Sequence, residues 1–557
     1  MTLVPRPSVP RPRRRSAVGA ALAVGLLSLA TACGGAGSAA APAAGSATGE
    51  PVPGGALTFA VGSEPLSLNP HVEGSHKAKI ILRNVFDSYL FKAEDGSYHP
   101  WLAESFELDP EAPSITLHLR EDVTFHDGTP LDAAAVVTNF EHLQDPEYSP
   151  TGSFLLRNLE GIETPDEHTV VLSLAQRDTH LLDLLAGVGS APLSPASFET
   201  DSLQAGGPEL AGTGPFSLAE YTRGQDLELE RFTDYDWAPE QLATHDGAAY
   251  LDAVTFRFLP EAATRTGALS SEQVDVIEGV PPVDTALFED DDAFTSGRIL
   301  NNGAPYTYYL NVSQPPFDDI DVRRAFIQAV DVDTLVASIY QGTAQPATTG
   351  VSSASAFHDE SAARPPYDPD AANALLDEAG WGERDAEGYR VKDGERLTVT
   401  TVASAPYIRE SRELLGQAVS AQVKDSVGID LRFEVADAGT AQNVLLDNGH
   451  QYFENSYATA EPSISLSYLY ASGGVIPYGN YADAELDALV AEVSATADAE
   501  EQEALYSQIQ HHITDQALSL PIYNPQDTWA ARAAVHGLTT DPALGTIWSL
   551  YNVWKDS

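Results

Sequence analysis

Between Leu117 and Phe140 the chain alternates, turns and then changes period. Leu117, Leu119 and Val123 interleave with His118, Arg120 and Asp122, the period-two pattern of a half-buried strand. Phe125-His126 leads into Asp127-Gly128-Thr129-Pro130, a cluster of turn formers. Asp132 is placed to cap a helix whose apolar face holds Val136, Val137 and Phe140. The same reading predicts strands at Ala56–Val61, Leu159–Ile162, His168–Leu174, Leu227–Phe232, Val254–Leu259, Gln273–Glu278, Tyr306–Val312, Leu397–Ala403, Asp430–Val435 and Leu520–Tyr523. It predicts helices over Ala78–Leu90, Leu181–Leu185, Ala263–Leu269, Glu410–Val423, Glu485–Val493 and Glu500–Thr514. Another runs from Asp321 to Ala329 and on past Asp331, and one starts at Tyr367-Asp368-Pro369 and ends at Ala379-Gly380-Trp381. Strands and helices alternate through most of the chain, the pattern of an α/β protein.

With 557 residues the chain exceeds one compact core, so two or three domains are expected. Its 81 acidic and 30 basic residues give a net charge of -51, a field that repels nucleic acid and anionic membrane surfaces. The acidity reads as a solvated surface or as adaptation to high salt. The single cysteine, Cys33, excludes an intramolecular disulfide. Ahead of it lie a basic stretch (Arg6, Arg11, Arg13, Arg14, Arg15) and an apolar run from Ala17 to Ala30, too short to span a bilayer. Ala30-Thr31-Ala32-Cys33 resembles a bacterial lipobox, although Leu29 stands one place upstream of the usual leucine. Residues 1–32 are therefore expected to be a cleaved lipoprotein signal, and Cys33 the lipidated residue. The alternative is an ordinary small-residue cleavage site. Residues 33–55, rich in Gly, Ala, Ser and Pro, read as a flexible tether.

Short motifs follow one another in a fixed order: Leu68-Asn69-Pro70-His71, Pro100-Trp101-Leu102-Ala103-Glu104-Ser105, Phe125-His126-Asp127-Gly128-Thr129-Pro130, Gly212-Thr213-Gly214-Pro215-Phe216, Arg323-Arg324-Ala325, Tyr367-Asp368-Pro369 and Leu520-Pro521. In this order they resemble the extracytoplasmic solute-binding proteins of ABC importers, in the peptide-, oligopeptide- and nickel-binding family. The resemblance implies an α/β, two-lobed periplasmic-binding-protein-like fold (type II, three domains) with a central ligand cleft and two hinge crossings. The first-lobe domain is expected to comprise 56–92, 209–314 and 518–557, an inserted domain 93–208, and the second lobe 315–517. The crossings are expected near Leu310-Asn311-Val312 and Ser519-Leu520-Pro521.

Peptide binders of this family anchor the ligand amine with an acid shortly before a Glu-Pro pair. Here Tyr457-Ala458-Thr459-Ala460-Glu461-Pro462 puts Ala458 and Thr459 at that place. Glu461 remains, either at the ligand or as the N-cap of a helix starting at Ser463. The nickel branch uses arginines on the inserted domain. Val188 stands at one such position, and Arg157 is the spare guanidinium nearby. The remaining cleft candidates are Ser63, Glu64, Glu73, Phe154, Tyr306, Tyr308, Asn311, Tyr457 and Thr459, an aromatic wall with a few polar anchors. Glu64 and Glu73 are candidate partners for a cationic ligand, and the tyrosines are equally candidates for core.

No GxSxG elbow, HExxH motif or P-loop occurs in the sequence. His511 and His512 point about 100° apart on a helix, a poor geometry for one metal. No catalytic residue, metal or cofactor is expected. The expected function is a membrane-anchored receptor on the extracytoplasmic face. It captures a small ligand, foremost a peptide, and delivers it to permease subunits as a monomer. The alternatives are a metal chelate, opine or sugar ligand, or a surface sensor or scaffold.

Overall fold

The structure, a computed structural model, describes residues 50–556 except 74, 76, 94–95, 110–111, 179, 202, 406–407, 409–410, 460, 473–477, 497, 542–545 and 548. The expected signal, Cys33 and most of the expected tether lie outside the described residues.

Among the described residues, seven strands far apart in sequence form the largest sheet. Their order is Phe294–Leu300, Gln526–Arg532, Val276–Glu278, Ala56–Val61, Ala253–Phe258, Asp226–Arg231 and Phe216–Thr222. Ala56–Val61 sits near the middle and runs parallel to both of its neighbours. Its alternate residues Leu57, Phe59 and Val61 enter the core, where Phe59 stacks on Phe256 with centroids 5.5 Å apart.

The second sheet, Ala103–Leu108, Ser114–Leu119, Thr169–Leu174 and Leu159–Asp166, is antiparallel throughout. One face is buried and one wet, which explains the alternation of Ile115, Leu117 and Leu119 with Ser114, Thr116 and His118. The helix Ala133–Leu143 begins as expected, with the Asp132 carboxylate accepting from Ala135 N at 2.8 Å. The Asp127-Gly128 turn also has a wider task. His126 N donates to Gly212 O and His126 Nε2 donates to Gly214 O, both at 2.9 Å. Gly214 N and Phe216 N in turn donate to the carbonyls of Val85 and Asn84. Two motifs more than eighty residues apart are thus stitched to one turn. Any Cβ on Gly212 would fall 2.2 Å from Val85 O.

That stitching also shortens a predicted helix. The apolar run 78–90 is helical only over Lys79–Leu82. The carbonyls of Asn84 and Val85 are taken by the loop at 212–216, so the α ladder cannot continue. Similarly, the run from Asp321 divides into Ile320–Gln328 and Val332–Tyr340, because Asp331 leaves helical geometry to cap Thr334 N.

The second lobe is built on the sheet Gln345–Pro346, Ser519–Asn524, Gly303–Leu310 and Tyr452–Ala458, with a parallel pair Thr398–Ser404 and Asp430–Ala436 beside it. Both Gly303–Leu310 and Ser519–Asn524 belong to this sheet. The chain therefore crosses between lobes at Asn301-Asn302 and at Pro525. The first point lies ahead of 310–312 and the second lies beyond 519–521, where the motifs put them. Asn301 N donates to Pro525 O at 2.9 Å, which joins the two crossings.

Candidate functional site

Where the inserted-sheet region meets the second lobe, a polar and aromatic seam is closed. Phe154, at the end of the short helix Pro150–Leu155, meets Tyr468 edge to face, with centroids 6.1 Å apart and planes at 87°. Tyr468 stacks on Tyr457 at 4.7 Å. His180 opens the helix His180–Ala186, and its Nε2 lies 2.7 Å from Ser463 Oγ and 3.4 Å from Ser494 Oγ. Lys92 pairs with Asp183 at 2.6 Å, both side chains being nearly buried.

Glu461 lies at the same seam. It is the N-cap of the helix Pro462–Leu469, accepting from Ser463 N, and it also accepts a hydrogen bond from the Tyr506 hydroxyl. Burial pushes its carboxyl above the usual range. The charge of Asp183 adds to this, while the Tyr506 hydrogen bond and Lys92 oppose it. Thr459 donates to Glu461 O at 2.9 Å and fixes the turn before the helix. Phe154, Tyr457, Thr459 and Glu461 are thus brought together.

The other candidates are placed elsewhere. Ser63 is exposed after the first strand. Glu64 accepts from Tyr221 OH at 2.5 Å and from Gly224 N at 3.1 Å, so it holds the hairpin 216–231. Glu73 is buried and accepts from three backbone N–H groups, those of Leu66, Ser67 and Ser75. It organises its own loop, which corrects its assignment as an anchor for a cationic ligand. Asn311 is buried, with its amide donating to Asn448 Oδ1 and His450 O and its carbonyl accepting from Ser313. It fixes the end of a strand.

Tyr306 and Tyr308 are fully buried core residues, and burial pushes both hydroxyls well above their ordinary pKa. The Tyr306 ring walls in Arg412, which sequence reasoning did not single out. Arg412 is fully enclosed at the start of the helix Arg412–Val427. Its Nε donates to Tyr523 OH at 2.9 Å, its Nη2 donates to Ser456 Oγ at 3.0 Å, and its guanidinium lies 4.3 Å from the Tyr306 ring centre. Nothing local to Ser411-Arg412-Glu413 marks that burial. His180, Lys92 and Asp183 were missed for the same reason.

Arg157 is exposed, with its guanidinium over the Phe154 ring at 4.5 Å, and Val188 is buried. His511 and His512 face different carboxylates, Asp359 and Asp483. Among the described residues no group of three or more His, Cys, Asp or Glu is arranged to hold a metal ion. None of their helices is long and apolar enough to cross a membrane.

Two lobes, two joined crossings and a seam that closes between lobes define a solute-binding protein. The pattern of "Bacterial extracellular solute-binding proteins, family 5 Middle" matches residues 97–475, and the chain belongs to that family. It is 27% identical over 480 residues to the glutathione-binding protein GsiB of Escherichia coli K12, covering 84% of this chain and 88% of that one. The fold is similar to AppA of Bacillus subtilis, an oligopeptide-binding protein in complex with a nonapeptide (TM-score 0.78, 21% identity, 91% and 100% coverage). It is also similar to NikA of Brucella suis in complex with Fe(III)-EDTA (TM-score 0.76, 24% identity, 90% and 100% coverage). Proteins of this family bind solutes outside the cytoplasm and deliver them to ABC permease subunits, and that is the role of this chain.

Proposed function

We propose that the ligand is a peptide, captured between the lobes by hinge closure and passed on unchanged, with no bond made or broken. The observation that carries this reading is the seam itself. Phe154, Tyr468 and Tyr457 supply stacking surfaces from both sides, and Thr459, Glu461 and Lys92 supply polar groups beside them. Relatives named for glutathione and oligopeptides support the peptide class. Closure derives its free energy from contacts that exist only in the closed state.

In this reading residues 1–32 are a signal peptide, Cys33 carries the lipid, and a monomer hovers at the membrane surface on residues 33–55. The first-lobe, inserted and second-lobe domains are proposed at 56–92, 209–314 and 518–557; 93–208; and 315–517, except that Gly303–Leu310 and Ser519–Asn524 go with the second-lobe sheet they join. The strands lining the crossings are assigned by sheet membership as described above.

Thermal shift with glutathione, di- to nonapeptides, an opine, a sugar and a nickel chelate tests the ligand class. A peptide at a hundred times its Kd stabilises the protein by about 2.7 kcal/mol and raises Tm. A rise with the opine, sugar or chelate alone would overturn the peptide assignment.

A further inference from the structure

His180 joins the inserted region to the second lobe through two hydroxyls. Its ring is 1% exposed. Nε2 meets the hydroxyls of Ser463 and Ser494, on two different second-lobe helices, Pro462–Leu469 and Ala484–Ala495. Nδ1 lies 3.2 Å from Asp178 Oδ1, and Asp178 is itself held by His180 N and by Asn158 Nδ2. Asp178, His180 and Ser463 stand in the order of a hydrolase relay. Ser463, however, is 1% exposed and lies in the first turn of a buried helix, so it has no face from which to attack a substrate.

We propose that His180 is a proton-sensitive latch for lobe closure: neutral, it joins the inserted region to the second lobe through Ser463 and Ser494, and protonated, it releases the seam and lets the ligand go. The physical reason is burial from one side. Asp178 and Arg157 belong to the same half of the molecule as His180 and stay beside it whether the lobes are open or closed, as does Asp183 on its own helix. From the second lobe it faces the hydroxyls of Ser463 and Ser494. The carboxylate there, Glu461, is engaged by Ser463 Oγ and Tyr506. Closure therefore takes water from the ring and sets hydroxyls, not a carboxylate, directly against it, so desolvation favours imidazolium in the open form. Burial lowers the pKa of His180 in the closed form, Asp178 opposes that, and Arg157 reinforces it. A group whose pKa falls on closure disfavours closure as pH drops below its open-state value. The ratio of closed to open molecules then falls, by up to about tenfold per pH unit, as pH drops from the open-state pKa of the ring to its closed-state pKa.

Small-angle X-ray scattering of the full chain at pH 7.5 and pH 5.0 tests the latch without a ligand of known identity. The wild type is expected to be compact at pH 7.5 and expanded at pH 5.0. His180→Gln keeps an amide donor for Ser463 and does not titrate, so it stays compact at both. Ser463→Ala with Ser494→Ala leaves His180 titrating without either hydroxyl and is expanded at both. A wild type whose radius of gyration is the same at the two pH values, or a His180→Gln variant that expands in parallel with it, would overturn the proposal. The latch rests on the two-lobe reading and not on the peptide. Failure of glutathione and every peptide to bind, with the scattering contrast intact, would sink the ligand assignment alone.

Discussion

The Phe154 ring stands edge-on to Tyr468 across the seam, one side chain from the inserted region and the other from the second lobe. Tyr468 belongs to the second-lobe core cluster, and Phe154 packs against that cluster from the inserted region. Phe154→Ala and Tyr468→Ala should each weaken ligand binding. Their double-mutant cycle should return a coupling of about 0.5–1.5 kcal/mol, the range for such aromatic pairs. Additive effects, measured by calorimetry with the ligand found in the thermal-shift series, would mean that the contact does not form on closure.

Arg412 carries a permanent charge inside the second lobe, held by Tyr523, Ser456 and the face of Tyr306. Arg412→Met takes the guanidinium away from the Tyr523 and Ser456 hydroxyls and from the Tyr306 face. A loss of about 2–4 kcal/mol is expected. Arg412→Lys should recover only part of it, because a point charge cannot stack and fork at once. Denaturant unfolding measures both, and a neutral Arg412→Met would show that the guanidinium is structurally idle.

Asp87 and His126 contribute to the pH dependence of stability with opposite signs. Asp87 is fully buried, and burial raises its carboxyl to about 7, although the Trp237 indole N–H and Arg83 oppose this. The folded state therefore holds this proton more tightly than the unfolded chain. The associated stability is fully present below about pH 4 and is lost as pH rises through 7. His126 is the reverse. Burial lowers it to about 4, and its contribution is present above 6.5 and is lost as pH falls through 4. Asp87→Asn should raise Tm relative to wild type at pH 8, and the advantage should vanish toward pH 4. A constant difference across that range would show that Asp87 does not titrate in it.

The net charge of -51 predicts a salt effect. Raising ionic strength from about 0.01 M to about 1 M shortens the screening length from about 30 Å to about 3 Å and relieves repulsion among carboxylates. Tm should rise across that range in sodium chloride. A flat or falling profile would show that the acidic surface does not strain the fold.

The helix cap at Asp132 and the turn at Asp127-Gly128 were legible because they depend on residues within four positions of one another. So was the helix start at Asp368-Pro369, where the Asp368 carboxylate accepts from Ala371 N. Helix 78–90 was misread because its carbonyls are claimed by residues at 214 and 216, a competition that periodicity does not encode. The candidate site divides the same way. Glu461 as a cap could be read from Glu-Pro-Ser. Glu73 looked like a free acid because the three N–H groups it satisfies are brought round by a loop.

By itself the sequence determined the class: alternating α/β elements, the ordered motifs of an extracytoplasmic binding family, and an acidic surface. These are local or compositional properties, and they survive without knowledge of what lies opposite. Only the tertiary structure decided that the lobes join at Asn301 and Pro525, that Arg412 is enclosed by tyrosines, and that His180 meets Ser463 from 283 positions away. Those facts depend on desolvation and on hydrogen bonds between distant segments. Such quantities come into being only when the chain closes on itself.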